Sequence, residues 1–290
     1  MITESLRHCI GIGPVRLAKL HDAGIRSWHD VIEHASKIPS GIRANLLSEA
    51  RRAQAALDQN DIGYFVGHFC PQDKWRILSE FLDQTSYFDI ETSGLDIDAS
   101  ITVIVCWHRG RFHTFVEHEN LDDFLDLLDD VKLLASFNGV SFDVPRILDA
   151  FHIPRLPCPH IDLRWSCYHA GLRGSLKNIE RKLKIERPAD IADTDGELAV
   201  QLWSYWRDRE DAAARHQLIR YCAADVLTLI LLAQHLANID RYDTAELWSH
   251  LPTAAPVRTS QGTIDRDTQV ANLFGTASPS KLRTRRRVAG

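Results

Sequence analysis

The stretch Tyr87-Phe88-Asp89-Ile90-Glu91-Thr92-Ser93-Gly94-Leu95 alternates apolar and acidic side chains before a glycine-containing turn. This period of two predicts a β-strand, because successive side chains of a strand point to opposite faces. Phe88 and Ile90 then share one face, and the two acids share the other. Asp89 and Glu91 repel each other unless a cation or water compensates them, and hard divalent ions such as Mg²⁺ bind such oxygens. By itself the pair also fits an exposed strand face with two solvated acids.

Other segments with clear periodicity surround this strand. Runs rich in β-branched and aromatic residues predict strands at 86–91, 101–107, 111–116 and 132–137. Apolar residues at helical spacing predict helices at 121–129, 142–151, 175–184, 197–207 and 212–237. Because strands come first and helices follow, the pattern favours a mixed α/β sandwich, in which helices flank a mixed sheet.

The two ends of the chain differ from this middle. Residues 6–57 have short helical patterns interrupted by glycine and proline, which predicts a compact all-α unit. Beyond about residue 250 the periodicity fades, and the basic run at 281–287 indicates a disordered tail. We therefore expect three segments: a helical unit at 1–57, an α/β domain at 58–245 and a loosely ordered basic tail at 246–290.

Length and composition narrow the class of protein. The 290 residues, 44% hydrophobic and 25% charged, are typical of a globular protein of about two domains. No run approaches the ~18 uninterrupted apolar residues of a membrane helix, and the first residues lack a signal-peptide pattern. We therefore expect a cytoplasmic protein without membrane contact. Six scattered cysteines without a Cys-x-x-Cys motif predict reduced, buried thiols.

The net charge of −5 conceals an uneven distribution. Residues 1–57 carry 8 basic and 5 acidic side chains, residues 58–250 carry 19 and 32, and residues 251–290 carry 7 and 2. The acidic middle repels a polyanion unless cations neutralise part of it, whereas either basic end could bind phosphates. This distribution fits a metal-dependent enzyme of nucleic acid, although many other enzymes are equally acidic.

Two further carboxylates occupy unusual positions. Asp143 falls in the first turn of the helix that follows strand 132–137, where an acid also interacts favourably with the helix dipole. Asp225 lies at the edge of the apolar stripe of helix 212–237, and Tyr221, four residues earlier, points to the same side. A carboxylate beside a core-facing stripe needs a partner, which is either an ordinary ion pair or a metal ion.

Three motifs together resemble those of the DEDD, or DnaQ-like, exonucleases of the ribonuclease H-like fold. They are Asp-x-Glu at 89–91, Asn-Gly-x-x-Phe-Asp-x-Pro at 138–145 and Tyr-x-x-x-Asp at 221–225. The resemblance spans about residues 60–240, and the tyrosine is similar to that of the DEDDy subgroup. His-x-Asp-Leu at 160–163 and Leu-x-x-Ile-Glu at 176–180 resemble the YprB-like branch. That branch more usually has His-Asn where this chain has Tyr-Cys.

This resemblance implies a 3′–5′ exonuclease that uses two divalent cations, Mg²⁺ or Mn²⁺, to hydrolyse phosphodiester bonds. The four acids that would hold the cations are Asp89, Glu91, Asp143 and Asp225. Tyr221 would orient the attacking water. The residues that would contact the terminal nucleotide are Thr92, Leu95, Asn138 and Phe142. The implied substrate is DNA or RNA with a free single-stranded 3′ end.

Residues 10–20 and the segment that follows them resemble a helix-hairpin-helix. Gly11 and Gly13 lack a Cβ, so backbone N–H groups at a helix N-terminus can approach phosphate oxygens, and Arg16 and Lys19 add positive charge. Such contacts do not depend on nucleotide sequence. Residues 38–43 resemble a degenerate second copy. A helical hairpin that serves only for protein docking is the alternative.

The leading hypothesis is therefore a metal-dependent 3′–5′ exonuclease acting on single-stranded ends, with DNA repair as one setting. An exoribonuclease that trims RNA 3′ ends is a close alternative, because no residue indicates a contact with the 2′-hydroxyl or its exclusion. The alternative from a different functional class is a scaffold that binds nucleic acid without cleaving it. The complete set of four acids together with Tyr221 argues against that scaffold.

Overall fold

A five-stranded mixed sheet organises the computed structural model, which describes residues 1–94, 96, 98–192 and 194–253. Its strands are β1 (Thr85–Thr92), β2 (Ile101–His108), β3 (Arg111–Val116), β4 (Leu133–Ser136) and β5 (His160–Asp162). Their order across the sheet is β3-β2-β1-β4-β5. Strand β2 pairs antiparallel with both β1 and β3, and β4 pairs in parallel with both β1 and β5. This arrangement confirms the predicted mixed α/β fold.

Helices cover both faces of the sheet and build the N-terminal part. The described α-helices are α1 (Pro14–Asp22), α2 (Trp28–Glu33), α3 (Ser40–Asp58), α4 (Ile62–His68), α5 (Trp75–Phe81), α6 (Asp123–Leu128), α7 (Asp143–Ala150), α8 (Leu163–His169), α9 (Leu176–Leu183), α10 (Gly196–Arg209), α11 (Ala212–Ala237) and α12 (Thr244–Ser249). Short 3₁₀ helices occur at Ile2–Glu4, Ala35–Lys37 and Leu82–Gln84.

The central strand β1 divides its side chains between two environments, as the alternation predicts. Phe88 and Ile90 join the apolar cluster that α6 and α7 complete on one face. Asp89 and Glu91 point to the other face, where they lie opposite Val105 and Val103 of β2, and this face packs against α11. The strand register shifts directly after Glu91. The acids therefore sit between the sheet and the longest helix.

Helix α11 is the most extensively buried helix of the described structure. It begins at the cap Asp211, whose carboxylate accepts the backbone N–H groups of Ala213 and Ala214, and it ends at Asn238 in a left-handed conformation. By length and composition alone it could cross a membrane, but 89% of its most apolar window is buried inside the protein. Because it packs against β1, β2 and α5, its apolar surface is that of a buried helix in a globular protein.

The N-terminal helices share the core of the sheet domain. The indole Nε1 of Trp28 donates to the carbonyl of Ser5 at 2.6 Å, and its ring stacks on Phe65 of α4 with centroids 6.0 Å apart. The hydroxyl of Ser5 donates to Asp73 at 2.9 Å. Helix α3 continues through residue 57 to Asp58. The boundary at 57 stays a prediction, and the two sides of it pack together.

Several elements differ from the sequence-based expectation. The four predicted strands are present within two residues of their bounds, whereas β5, α4, α8 and α12 are elements that the sequence pattern did not predict. Strand β5 has three residues, too few to display a period of two, and it exists because β4 supplies a parallel partner. Helix α12 makes residues 246–249 helical within the predicted tail. The remainder of that tail from residue 254, including the basic run at 281–287, lies outside the described residues.

Candidate active site

Acidic side chains from all three motifs meet between β1, α7 and α11. Oxygens of Asp89 and Glu91 and the sulfur of Cys222 lie within 4.8 Å of one another. Asp143, the first residue of α7, and Asp225 of α11 act electrostatically on both strand acids. Glu91, Asp143 and Asp225 are more than nine-tenths buried. The structure thus brings together the four acids that the sequence singles out.

Crowding and burial oppose full ionisation of this cluster. Burial, followed by repulsion from Asp225 and Asp143, raises the pKa values of Asp89 and Glu91 well above their ordinary range. Burial is also the main cause that raises the pKa of Asp143 to about 7. For Asp225, burial raises the pKa while the nearby Arg187 opposes the rise. A bound cation would relieve the repulsion, and carboxylate oxygens are the donors that Mg²⁺ and Mn²⁺ prefer.

The raised pKa of Asp143 predicts a pH-dependent penalty in the metal-free protein. A carboxyl whose pKa is about 7 when folded and near 3.8 when unfolded destabilises the folded state progressively as pH rises between these values. Asp143→Asn removes that penalty, so its melting temperature in chelator should exceed that of the parent increasingly from about pH 4 to about pH 7. A constant difference across this range would contradict the raised pKa.

The melting temperature of the variant must be compared with that of the parent at each pH, because two histidines make the stability of the folded state rise with pH. Burial lowers the pKa values of His8 and His160 to about 4. Neutral buried histidines stabilise the folded state above their unfolded pKa and lose this contribution as the pH falls. Both histidines are present in the parent and in the variant, so their contribution cancels in the difference.

A buried arginine that the sequence analysis missed completes the cluster. Arg187 is only 3% exposed, and its Nη2 contacts the Oδ1 of Asp225. Its Nε also donates to both carboxylate oxygens of Glu180, at 2.9 and 3.1 Å, and Thr228 donates to the same carboxylate at 2.7 Å. Arg187 therefore compensates one of the site acids from outside the three motifs.

The sequence did contain a signal for this arginine. Glu180 lies on the apolar side of α9, next to Ile179, and both are buried. A buried carboxylate requires a cationic or hydrogen-bonding partner. Arg187, seven residues later, is one of several nearby basic residues, and the sequence alone does not single it out.

Tyr221 and Cys222 line the cluster from α11. A hydrogen bond from the Tyr221 hydroxyl lowers the pKa of Asp225, and burial raises the pKa of Tyr221 itself far above its ordinary value. The phenol is therefore a neutral donor. The Cys222 thiol donates to an Asp89 carboxylate oxygen at 3.5 Å, and burial keeps it protonated by raising its pKa. A protonated thiol is a hydrogen-bond donor here, because metal binding requires a thiolate.

The residues predicted to contact the terminal nucleotide lie at the end of β1 or just after it in the sequence, or in the segment between β4 and α7. The Thr92 hydroxyl donates to the Gly94 carbonyl at 2.7 Å, just past the acids of β1. Asn138 adopts a left-handed conformation, with φ of 67°. Phe142 directly precedes Asp143 in the sequence. The Arg146 guanidinium lies over its ring, 3.8 Å from the centroid. Leu95 lies outside the described residues.

The candidate phosphate-binding residues belong to the loop before α1 and to α1 itself, apart from the acidic cluster. Gly11 has a φ of 84°, which favours glycine, and its carbonyl accepts Nη1 of Arg16 at 2.7 Å. Gly13 caps α1, and no atom lies within 4 Å of where its Cβ would be. Arg43 of α3 donates similarly to the Ile38 carbonyl, at 2.9 and 2.7 Å. The predicted second copy therefore has a related loop.

Comparison with known proteins agrees with this fold. The family described as the RNase_H superfamily matches residues 86–237, from β1 to the last residue of α11. No curated protein matches the sequence. The chain is similar to the family B DNA polymerase from the hyperthermophilic archaeon Pyrobaculum calidifontis, with 17% identity and a TM-score of 0.41. That alignment covers 53% of this chain and 27% of the polymerase chain. The family match includes more than half of the residues, and the chain belongs to the RNase_H superfamily.

Proposed function

We propose that this chain is a metal-dependent nuclease and, more specifically, a 3′–5′ exonuclease of the DEDD type. The observation that carries the proposal is the convergence of four carboxylates with raised pKa values from β1, α7 and α11, three of them buried and Asp89 partly buried. A protein that does not use these acids would retain a large electrostatic cost without benefit. Membership of the RNase_H superfamily supports nuclease chemistry.

Each residue of the site has a role in this proposal. Asp89, Glu91, Asp143 and Asp225 hold two divalent cations, either Mg²⁺ or Mn²⁺. The chemistry that bound cations supply is activation of the attacking water and stabilisation of charge on the phosphate. Tyr221 remains protonated and orients the water by donating or accepting a hydrogen bond. Arg187 keeps Asp225 in place.

The proposed substrate is DNA or RNA with a free single-stranded 3′ end. Thr92, Leu95, Asn138 and Phe142 are the residues that we propose to contact its terminal nucleotide. The N-terminal loops add phosphate contacts as a helix-hairpin-helix, through Gly11, Gly13, Arg16 and Lys19.

An assay with labelled oligonucleotides tests the activity. The protein is incubated with single-stranded DNA or RNA labelled at the 5′ end, together with Mg²⁺, Mn²⁺ or a chelator. We expect stepwise shortening with either metal and no cleavage in chelator. Shortening of RNA alone would favour the exoribonuclease alternative. Binding without cleavage in all metals would favour the non-catalytic scaffold.

Loss of two basic side chains on α1 should weaken substrate binding. Arg16→Ala/Lys19→Ala removes two proposed phosphate contacts, so the magnitude of the slope of log affinity against log salt should fall by about 1.4 for a single strand. Fluorescence anisotropy with a labelled oligonucleotide at several salt concentrations measures this slope. Deletion of residues 1–57 is unsuitable, because it would expose Phe65 and the rest of the shared core.

A matched control separates this effect from a general loss of charge. Arg207→Ala/Arg209→Ala removes two basic side chains from the last turn of α10. We expect it to leave the salt slope near the parent value. If both double variants behave like the parent, the loop before α1 serves another purpose, such as protein docking.

A further inference from the structure

One segment of the acidic middle is strongly basic. Residues 163–187 carry seven basic and two acidic side chains, whereas the rest of 58–250 carries 12 basic and 30 acidic ones. The segment contains α8, the loop after it and α9. Arg187 and Glu180 of this segment are buried and paired with each other. The remaining charge is almost entirely basic, so this surface attracts polyanions that the rest of the domain repels.

Two large aromatic side chains are exposed on α8. Trp165 is 48% and Tyr168 44% exposed, and their ring centroids lie 6.1 Å apart. The Arg173 guanidinium lies 4.6 Å from the centroid of the Tyr168 ring. Neighbouring exposed aromatic rings on a folded domain are typical of a binding surface. Together with Arg164, these residues form what we call the α8 platform: Arg164, Trp165, Tyr168 and Arg173.

The α8 platform is joined directly to the loop that carries the second motif. Asp162 is the last residue of β5 and the cap of α8, and its carboxylate accepts the backbone N–H of Arg164 at 3.0 Å. The same carboxylate accepts the N–H groups of Asn138, at 2.8 Å, and Val140, at 3.1 Å. In addition, Arg164 contacts the side-chain oxygen of Asn138. Asp162 therefore fixes the platform relative to the loop that leads into Asp143.

A cavity lies beside this loop and Arg164 of the platform. It has a volume of about 400 Å³ and is lined by Phe137, Asn138, Arg164 and residues 174–176. Its wall thus includes one proposed nucleotide contact and one platform residue. Val140, in the same loop, is 55% exposed and adds apolar surface. Asn138 and Arg164 thus connect the loop that leads into Asp143 with the helix that carries the exposed rings.

We propose that the α8 platform binds the unpaired strand of the nucleic acid whose 3′ end enters the acidic site. Bases stack on Trp165 and Tyr168, and the guanidinium groups of Arg164 and Arg173 neutralise phosphates. This combination of stacking rings and cations is suited to single strands without regard to sequence, because every base offers a π-face. The inference rests on the proposed nuclease function and adds to it a place where the substrate is held.

The test compares two matched tyrosine–arginine pairs. Tyr168→Ala/Arg173→Ala removes half of the platform. The control Tyr205→Ala/Arg209→Ala removes an equivalent pair on α10, in which the guanidinium lies 4.9 Å from the ring centroid. Binding of labelled oligothymidylate and oligouridylate is measured by fluorescence anisotropy in chelator, so that no cleavage occurs. We expect the platform variant to bind about 10-fold or more weakly and the control to bind like the parent.

A conservative variant tests stacking separately from charge. Trp165→Phe/Tyr168→Phe keeps two aromatic rings and should retain most of the affinity, whereas Trp165→Ala/Tyr168→Ala should lose it. Melting temperatures check that each variant is folded. Loss of affinity for one oligonucleotide only would support the platform and assign its substrate as DNA or RNA. Unchanged affinity of both alanine variants for both oligonucleotides would overturn the proposal.

Failure of the platform and failure of the nuclease function give different results. If the parent cleaves oligonucleotides and the alanine variants bind like the parent, only the platform is wrong. If the parent neither binds nor cleaves either oligonucleotide, the nuclease function and the platform are both wrong.

Discussion

Asp89→Asn should reduce nuclease activity by roughly 1000-fold or more and should raise the melting temperature of the metal-free protein. Activity falls because Asp89 is at the centre of the acidic cluster, with Glu91, Asp143 and Asp225 acting on it. Stability rises because asparagine has nearly the same shape but removes one buried negative charge from a group of like charges. Rates on a labelled oligonucleotide and thermal unfolding in chelator measure the two effects.

Asp225→Asn should have the same effect on activity as Asp89→Asn and a smaller stabilising effect on the metal-free protein. Asp225 is paired with Arg187, which is 3% exposed. Arg187 offsets part of the burial penalty of Asp225 and stays paired with Glu180 after the substitution, so less stability is gained than at Asp89. Mn²⁺ should raise the melting temperature of the parent and of neither variant, because ligand binding stabilises only a protein that retains its site.

A surface acid provides the control for both variants. Asp240→Asn changes an exposed residue in the turn after α11 and should alter neither the rate nor the effect of Mn²⁺ on unfolding. Retention of activity by both Asp89→Asn and Asp225→Asn would reject the proposed metal site. An Asp89→Asn protein that is less stable than the parent in chelator would show that the acids are not under electrostatic strain.

The elements with a clear period were the ones that the sequence predicted. Residues 87–91 alternate and residues 101–107 are largely apolar, so both strands are predicted, and the alternation also predicts the two faces of β1. The three residues of β5 have no such pattern, because their structure depends on pairing with a distant strand. Helix α12, which includes residues 246–249, was not predicted for a related reason, since a six-residue helix has less than two turns and shows little periodicity.

In the candidate site too, residues that lie in local sequence motifs were predicted, whereas residues defined by contacts between distant parts of the chain were not. The acids were found because each lies in a recognisable local motif: on β1, at the start of α7 or on α11. Arg187 was missed because its partners, Glu180 and Asp225, are seven and 38 positions away and meet only in the folded chain. The proposed α8 platform is not apparent in the sequence, because the net negative charge of residues 58–250 conceals the basic segment at 163–187.

Tyr221→Phe should slow the reaction by about 10- to 1000-fold while leaving stability and metal binding nearly unchanged. The substitution keeps the ring, which is almost fully buried between α11 and its neighbours, and removes only the hydroxyl. That hydroxyl hydrogen-bonds to Asp225 and is held protonated by burial. Its proposed contribution is therefore to position the water beside the Asp225 carboxylate, since a neutral phenol does not act as an anionic base.

Single-turnover rates at saturating Mn²⁺ decide the role of this hydroxyl, because they exclude substrate binding and product release. Tyr87→Phe is the matched control, since Tyr87 is also buried on the α11 side of the sheet but its hydroxyl interacts with Thr85, Asp83 and Tyr242 and with none of the four acids. We expect the control to react at the parent rate. If Tyr221→Phe does so as well, Tyr221 contributes only packing, and water activation depends on the carboxylates and the cations that they hold.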